Sequence, residues 1–121
     1  MAASNKGRVL VVDDEALVRF VAADALREAG YEVVEASSAE DAMAVLKQDN
    51  FTTVLTDIEM PGTMNGLDLA WAVQGHNPRL PVVLVSGRQL PRPTEMPRTA
   101  RFLAKPYRIE TLLHLVAISR D

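Results

Sequence analysis

The chain contains no cysteine, which excludes a disulfide framework, a thiolate metal site and a cysteine nucleophile. No apolar run approaches the roughly 20 residues of a membrane-spanning helix. The opening stretch, Met-Ala-Ala-Ser-Asn-Lys-Gly-Arg, lacks the apolar core of a signal peptide. There is no basic excess either: the net charge of −3 speaks against direct nucleic-acid binding by the whole chain. Neither Gly-x-Gly-x-x-Gly nor Gly-x-x-x-x-Gly-Lys-Ser/Thr occurs, so dinucleotide and nucleoside triphosphate sites are disfavoured. What is present is ordinary for a globular chain, 121 residues with 48% hydrophobic and 24% charged. One domain over 1–121, ordered from about 8 to 119, is expected, in the cytoplasm and off the membrane.

Taken in order, Arg8 to Val12 is a short apolar run that ends on Asp13 and Asp14. Runs apolar on both faces suit strands of a parallel sheet covered by helices. From Glu15 the period becomes helical. Leu17, Val21 and Ala25 form one row and Val18, Ala22 and Leu26 the next, together a broad apolar face, and Gly30 supplies a left-handed stop. Tyr31 to Ala36 reads as the second strand. Ser37 with Glu40 fits a capping box opening a helix through Ala39, Ala42, Met43 and Leu46. The third strand runs from Thr52 to Thr56, followed by a helix carrying Leu67, Leu69, Ala70 and Val73 that stops before Pro78.

Pro81 to Ser86 is the fourth strand. Where a fourth helix is due, Pro91, Pro93 and Pro97 intervene. An interior proline costs a helix about 3 kcal/mol, so a loop or one turn is predicted. Arg101 to Ala104 reads as a fifth strand, and beyond Pro106 a last helix bears Ile109, Leu112, Leu113 and Val116. This alternation predicts an α/β fold with a parallel sheet and right-handed crossovers. Trp71 reads as packing, and His76 and His114 carry no pattern. Arg88, Arg92, Arg98, Arg101, Lys105 and Arg108 against Glu95 give that segment a net +5, leaving −8 for the rest of the chain. It is a solvated loop or a partner-facing patch.

In a parallel sheet the strand ends meet at one edge. There they bring Asp13 and Asp14, Asp57, Ser86 and, after the fifth strand, Lys105. Two like charges about 4 Å apart repel by about 4 kcal/mol at an effective dielectric of 20, so three acids against one lysine call for a cation. Hard oxygen ligands with open positions suit Mg²⁺, which binds one or two carboxylates plus a phosphate. Such a site accepts a phosphoryl group.

The pieces Val11-Val12-Asp13-Asp14-Glu15, Thr56-Asp57-Ile58-Glu59-Met60-Pro61, Gly66-Leu67, Ser86-Gly87 and Lys105-Pro106 together resemble the receiver domain of two-component response regulators. The resemblance implies a flavodoxin-like three-layer sandwich with five parallel strands in the order 2-1-3-4-5. Here the fourth helix is expected to be short or missing. It implies that Asp57 accepts a phosphoryl group from the phosphohistidine of a sensor histidine kinase or a histidine phosphotransfer protein. Mg²⁺, with Mn²⁺ as a substitute, would be held by Asp14, Asp57 and the Glu59 carbonyl, with Asp13 acting through water. Ser86 would hydrogen-bond the phosphoryl group, Lys105 would pair with it, and Phe102 falls on the aromatic switch position, or else is simply core. The Lys105-Pro106 bond is cis in many relatives.

Two features depart from the common pattern. The loop Pro61 to Gly66 is one residue longer, and Glu59 adds a fourth acid beside the site. The function expected is a phosphorylation-activated switch that catalyses its own phosphorylation and slow dephosphorylation without acting on an external substrate. It would signal to a downstream protein target, with dimerisation possible but not assumed. A stand-alone regulator is expected, since no DNA-binding segment follows within the 121 residues. The alternative is a constitutive interaction module with a vestigial phosphosite.

Overall fold

A computed structural model describes residues 6–119. Residues 1–5 and 120–121, and with them the ends of the expected 1–121 domain and most of the stretch judged not to be a signal peptide, lie outside that description. Strands β1 (Arg8–Val12), β2 (Glu32–Ala36), β3 (Thr53–Asp57), β4 (Val82–Ser86) and β5 (Ala100–Ala104) alternate with helices α1 (Ala16–Glu28), α2 (Ala39–Leu46), α3 (Gly66–His76) and α4 (Ile109–Ser119). The sheet has the order β2-β1-β3-β4-β5 and every pairing is parallel. This is the parallel α/β sheet that the alternation predicted, in the flavodoxin-like strand order that the resemblance implied.

Strand period explains the layering. Successive side chains leave a strand on opposite faces, so the central strands are apolar throughout. Leu10, Val12, Val54, Val82 and Leu84 join Ala42, Leu46, Leu69 and Val73 in one core beneath α2 and α3. Val9, Val11, Leu55, Val83 and Val85 join Ala22, Leu26, Leu112 and Val116 in the other, beneath α1 and α4. Gly30, at φ +105°, ends α1 in the left-handed conformation that glycine adopts without a side-chain clash.

Three local expectations change. Ser38, not Ser37, caps α2, its hydroxyl accepting from the Asp41 amide at 3.0 Å. Ser37 instead donates to the Asp41 carboxylate. On α1, only the Val18-Ala22-Leu26 row with Ala23 turns to the sheet. Leu17 is 77% and Val21 51% exposed, because the helix has a single layer to cover and its wide apolar face overruns it. With Ile109 and Pro106 they line an open groove of about 760 Å³ that reaches Lys105. Trp71 is 46% exposed rather than packed away, and its indole N–H donates to the Glu95 carbonyl at 2.9 Å.

Between β4 and β5 there is no fourth helix, only a 3-10 turn over Pro93–Glu95. That turn is tied to α3 by Trp71 and by the Arg98 amide donating to Gln74 at 3.2 Å. Met96 and Phe102 lie partly buried against the α2/α3-side core, covering ground that a helix would otherwise cover.

Candidate functional site

The carboxyl ends of β1, β3, β4 and β5 converge as the topology requires. Asp57 is the last residue of β3 and is 6% exposed. The Ile58 amide continues the ladder to the Val85 carbonyl at 2.9 Å, so the Asp57 backbone is held between two paired residues. Asp13 follows β1 and is equally buried. Its Oδ1 accepts from the Glu15 amide at 2.9 Å, turning the chain into α1. Asp14 is exposed beside it. Oxygen atoms of Asp13, Asp14 and Asp57 all lie within 4.8 Å of one another.

Lys105 follows β5, across a cis bond to Pro106, and its amide donates to the Ser86 carbonyl at 2.9 Å. Its Nζ stands 3.4 Å from Asp57 Oδ1 and 4.0 Å from Asp13 Oδ2. Asp57 Oδ1 is buried and receives no properly directed hydrogen bond, so the lysine contact is an ion pair by proximity. Burial pushes the Asp57 carboxyl up from 3.8 to about 6, an effect that Lys105 opposes and Asp13 reinforces. Asp13 is also raised, again chiefly by burial. Lys105 lies above its ordinary value because the attraction of Asp57 and Asp13 outweighs its own burial.

The donor set fits a small hard cation. Three carboxylates meet at one edge, and one inward oxygen has no directed donor. The only cation contacting them among the described residues is the lysine, so charge remains to be neutralised. The Glu59 carboxylate does not join them. Its Oε2 accepts from the Ser86 hydroxyl at 2.6 Å and from Gln89 Nε2 at 2.9 Å. Ser86, 1% exposed, in turn accepts from the Arg88 and Gln89 amides at 3.0 and 2.9 Å. Phe102 is half-buried in β5.

Sequence reasoning missed two participants. Arg19 on α1 donates to the Asp13 carbonyl at 2.8 Å and to Glu35 at 3.0 Å, pinning the end of β1 to the edge strand. A cation directly after Val18 on the buried row was the available signal. Gln89 had none, since its role depends on the fold of the loop after Ser86. The longer loop after Asp57 is closed by the Gly66 amide donating to the Ile58 carbonyl at 2.9 Å. The next residue back, Asn65, exchanges reciprocal capping bonds with Asp68.

A five-stranded parallel sheet with paired acids after β1, an acid ending β3, a hydroxyl ending β4 and a lysine after β5 defines a class of signalling domain. The profile of the response regulator receiver domain matches residues 9–117. The response regulator protein FleR of Pseudomonas aeruginosa is 37% identical over 113 residues, 91% of this chain but 24% of FleR. The response regulator receiver protein CpdR of Brucella abortus is 31% identical over 110 residues, 88% of this chain and 91% of CpdR. The crystal structure of the receiver domain from the hybrid histidine kinase CckA superposes with a TM-score of 0.81 at 34% identity, covering 95% of this chain and all of that one. The chain belongs to the response regulator receiver domain family. Domains of this family are signalling modules of two-component systems, dealing with sensor kinases and downstream effectors rather than acting on external substrates. Among the described residues, no helix is long and apolar enough to cross a membrane.

Proposed function

We propose that this chain is a phosphorylation-activated switch that takes a phosphoryl group on Asp57 from a phosphohistidine donor. The observation that carries the reading is the meeting of Asp13, Asp14 and Asp57 with Lys105 at one sheet edge. A carboxyl titrating at about 6 is ionised at neutral pH yet more basic than a free aspartate, which favours it as a nucleophile. A carboxylate oxygen forms the new bond to phosphorus as the donor's N–P bond breaks and the imidazole leaves. Bound at Asp14, Asp57 and the Glu59 carbonyl, with Asp13 behind a water, Mg²⁺ would supply positive charge to the phosphoryl oxygens. Lys105 pairs with the same oxygens from the β5 side.

The phosphoryl group adds about 1.5–2 negative charges. Lys105 and Ser86 are drawn to them, each carrying a loop, and Phe102, two residues before the end of β5, is placed to follow. A few kcal/mol of differential contact suffices for such a shift. The output is a downstream protein, with no nucleic acid bound directly. The test is transfer from a phosphorylated histidine phosphotransfer domain. Label should pass to the wild type only with Mg²⁺ or Mn²⁺ and should not pass to Asp57→Ala. Partner affinity that is equal with and without phosphorylation would instead support a constitutive interaction module.

A further inference from the structure

We propose that the Glu59 carboxylate is a resting-state latch, holding the Ser86 proton that a phosphoryl group on Asp57 must take over. The inference rests on the reading of Asp57 as phosphoacceptor and adds to it an internal competitor. Ser86 has one hydroxyl proton and two acceptor lone pairs. Both acceptor positions are taken by the Arg88 and Gln89 amides, and the proton goes to Glu59 Oε2 at 2.6 Å. The hydroxyl has no capacity left. A phosphoryl oxygen offers only acceptors, so it gains Ser86 only if Glu59 releases it.

The contact is a strong one to break. A hydroxyl donating to a carboxylate at this separation is a charge-assisted bond, about twice the strength of a neutral one. Gln89 Nε2 holds the same carboxylate oxygen at 2.9 Å, which keeps the acid aimed at the serine. Ser86 is 1% exposed, so water does not readily replace either partner. The bond also ties the loop after β3 to the loop after β4, the two segments that the switch must move relative to each other. Glu59 therefore sets how much differential binding phosphorylation has to supply before the loops rearrange.

The test is an NMR titration of the full chain with beryllofluoride and Mg²⁺, following the Arg88 and Gln89 amides because both donate to the Ser86 oxygen. The wild type, Glu59→Ala, Glu59→Gln, Ser86→Ala and the Glu59→Ala/Ser86→Ala pair are compared. Before beryllofluoride is added, Glu59→Ala should shift both amides. Its half-saturating concentration should fall about tenfold when Ser86 is present, the size of one charge-assisted hydrogen bond. In the Ser86→Ala background the fall should be much smaller, reflecting only lost repulsion. Glu59→Gln, which keeps an acceptor oxygen, should fall between. An equal effect of Glu59→Ala in both backgrounds, or none in either, overturns the latch. If beryllofluoride binds Asp57→Asn as well as wild type, the phosphoacceptor reading fails and the competition fails with it. The amide shifts before titration still report separately whether Glu59 contacts Ser86.

Discussion

At the scale of single residues, the fold keeps Asp57 and Asp13 charged at a cost. Both carboxyls titrate above their ordinary range, chiefly through burial. Between the unfolded value near 3.8 and the folded value of about 6, the native state holds a proton that the unfolded chain has released. Stability contributed by Asp57 therefore falls as pH rises through that window. Lys105 works the other way, adding stability that is complete below its ordinary 10.5 and lost only in stronger alkali. Without metal at pH 7, Asp57→Asn should stabilise the protein by about 2–3 kcal/mol, read by urea denaturation. It should also flatten the pH dependence between 4 and 6. A destabilised Asp57→Asn would mean that the Lys105 ion pair outweighs the burial of the acid. Mg²⁺ narrows the gap: at tenfold excess over Kd it should stabilise the wild type by about 1.4 kcal/mol. Asp57→Asn should gain much less, which a thermal melt with and without chelator checks.

At the scale of elements, the loops around the site are fixed by close backbone contacts and single tethers. Gly66 opens α3 directly against the end of β3. A Cβ there would run into the Asp57 carbonyl oxygen and lie 2.7 Å from its carbon and 2.8 Å from Ile58 Cα. All of these are backbone atoms that cannot swing away. Gly66→Ala should cost about 1–3 kcal/mol, as overpacking does, and should weaken Mg²⁺ binding by moving the metal loop. A melting temperature and Mg²⁺ affinity equal to wild type would contradict the packing described. Trp71→Phe removes the donor to the Glu95 carbonyl while keeping the ring. Amide exchange across 93–98 should quicken, with a stability loss of about 1 kcal/mol. The same elements separate what could be read in advance from what could not. Pro91, Pro93 and Pro97 announced the missing helix because each removes a backbone donor. Ser37 and Ser38 both satisfy a capping pattern, with Glu40 or Asp41 three residues on, and only the backbone turn between β2 and α2 chooses Ser38. The tether from Trp71 to Glu95 joins residues 24 apart, so no local pattern carries it.

At the scale of the whole molecule, the strand order is implied only by the resemblance to receiver domains, whereas the parallel sheet and the meeting of strand ends follow from alternating periods and right-handed crossovers. That is why Asp13, Asp14, Asp57, Ser86 and Lys105 could be named as neighbours before any coordinates. Periodicity could not say how much of α1 the sheet would cover, and so Leu17 and Val21 looked like core yet lie in the open groove beside Lys105. Nor could it say that Glu59, visible as an extra acid, would turn its carboxylate to Ser86 instead of to the acidic cluster. The chain spans about a quarter of FleR and nine-tenths of CpdR, and receiver chemistry is the level at which all of these proteins can be compared. That chemistry stands or falls on Asp57. The direct measurement is intact-mass spectrometry after incubation with phosphoramidate, with peptide mapping of the product. The expected result is one phosphoryl group per chain, dependent on Mg²⁺, mapped to Asp57 and absent from Asp57→Ala. Equal labelling of Asp57→Ala, or labelling mapped to another residue, would contradict it.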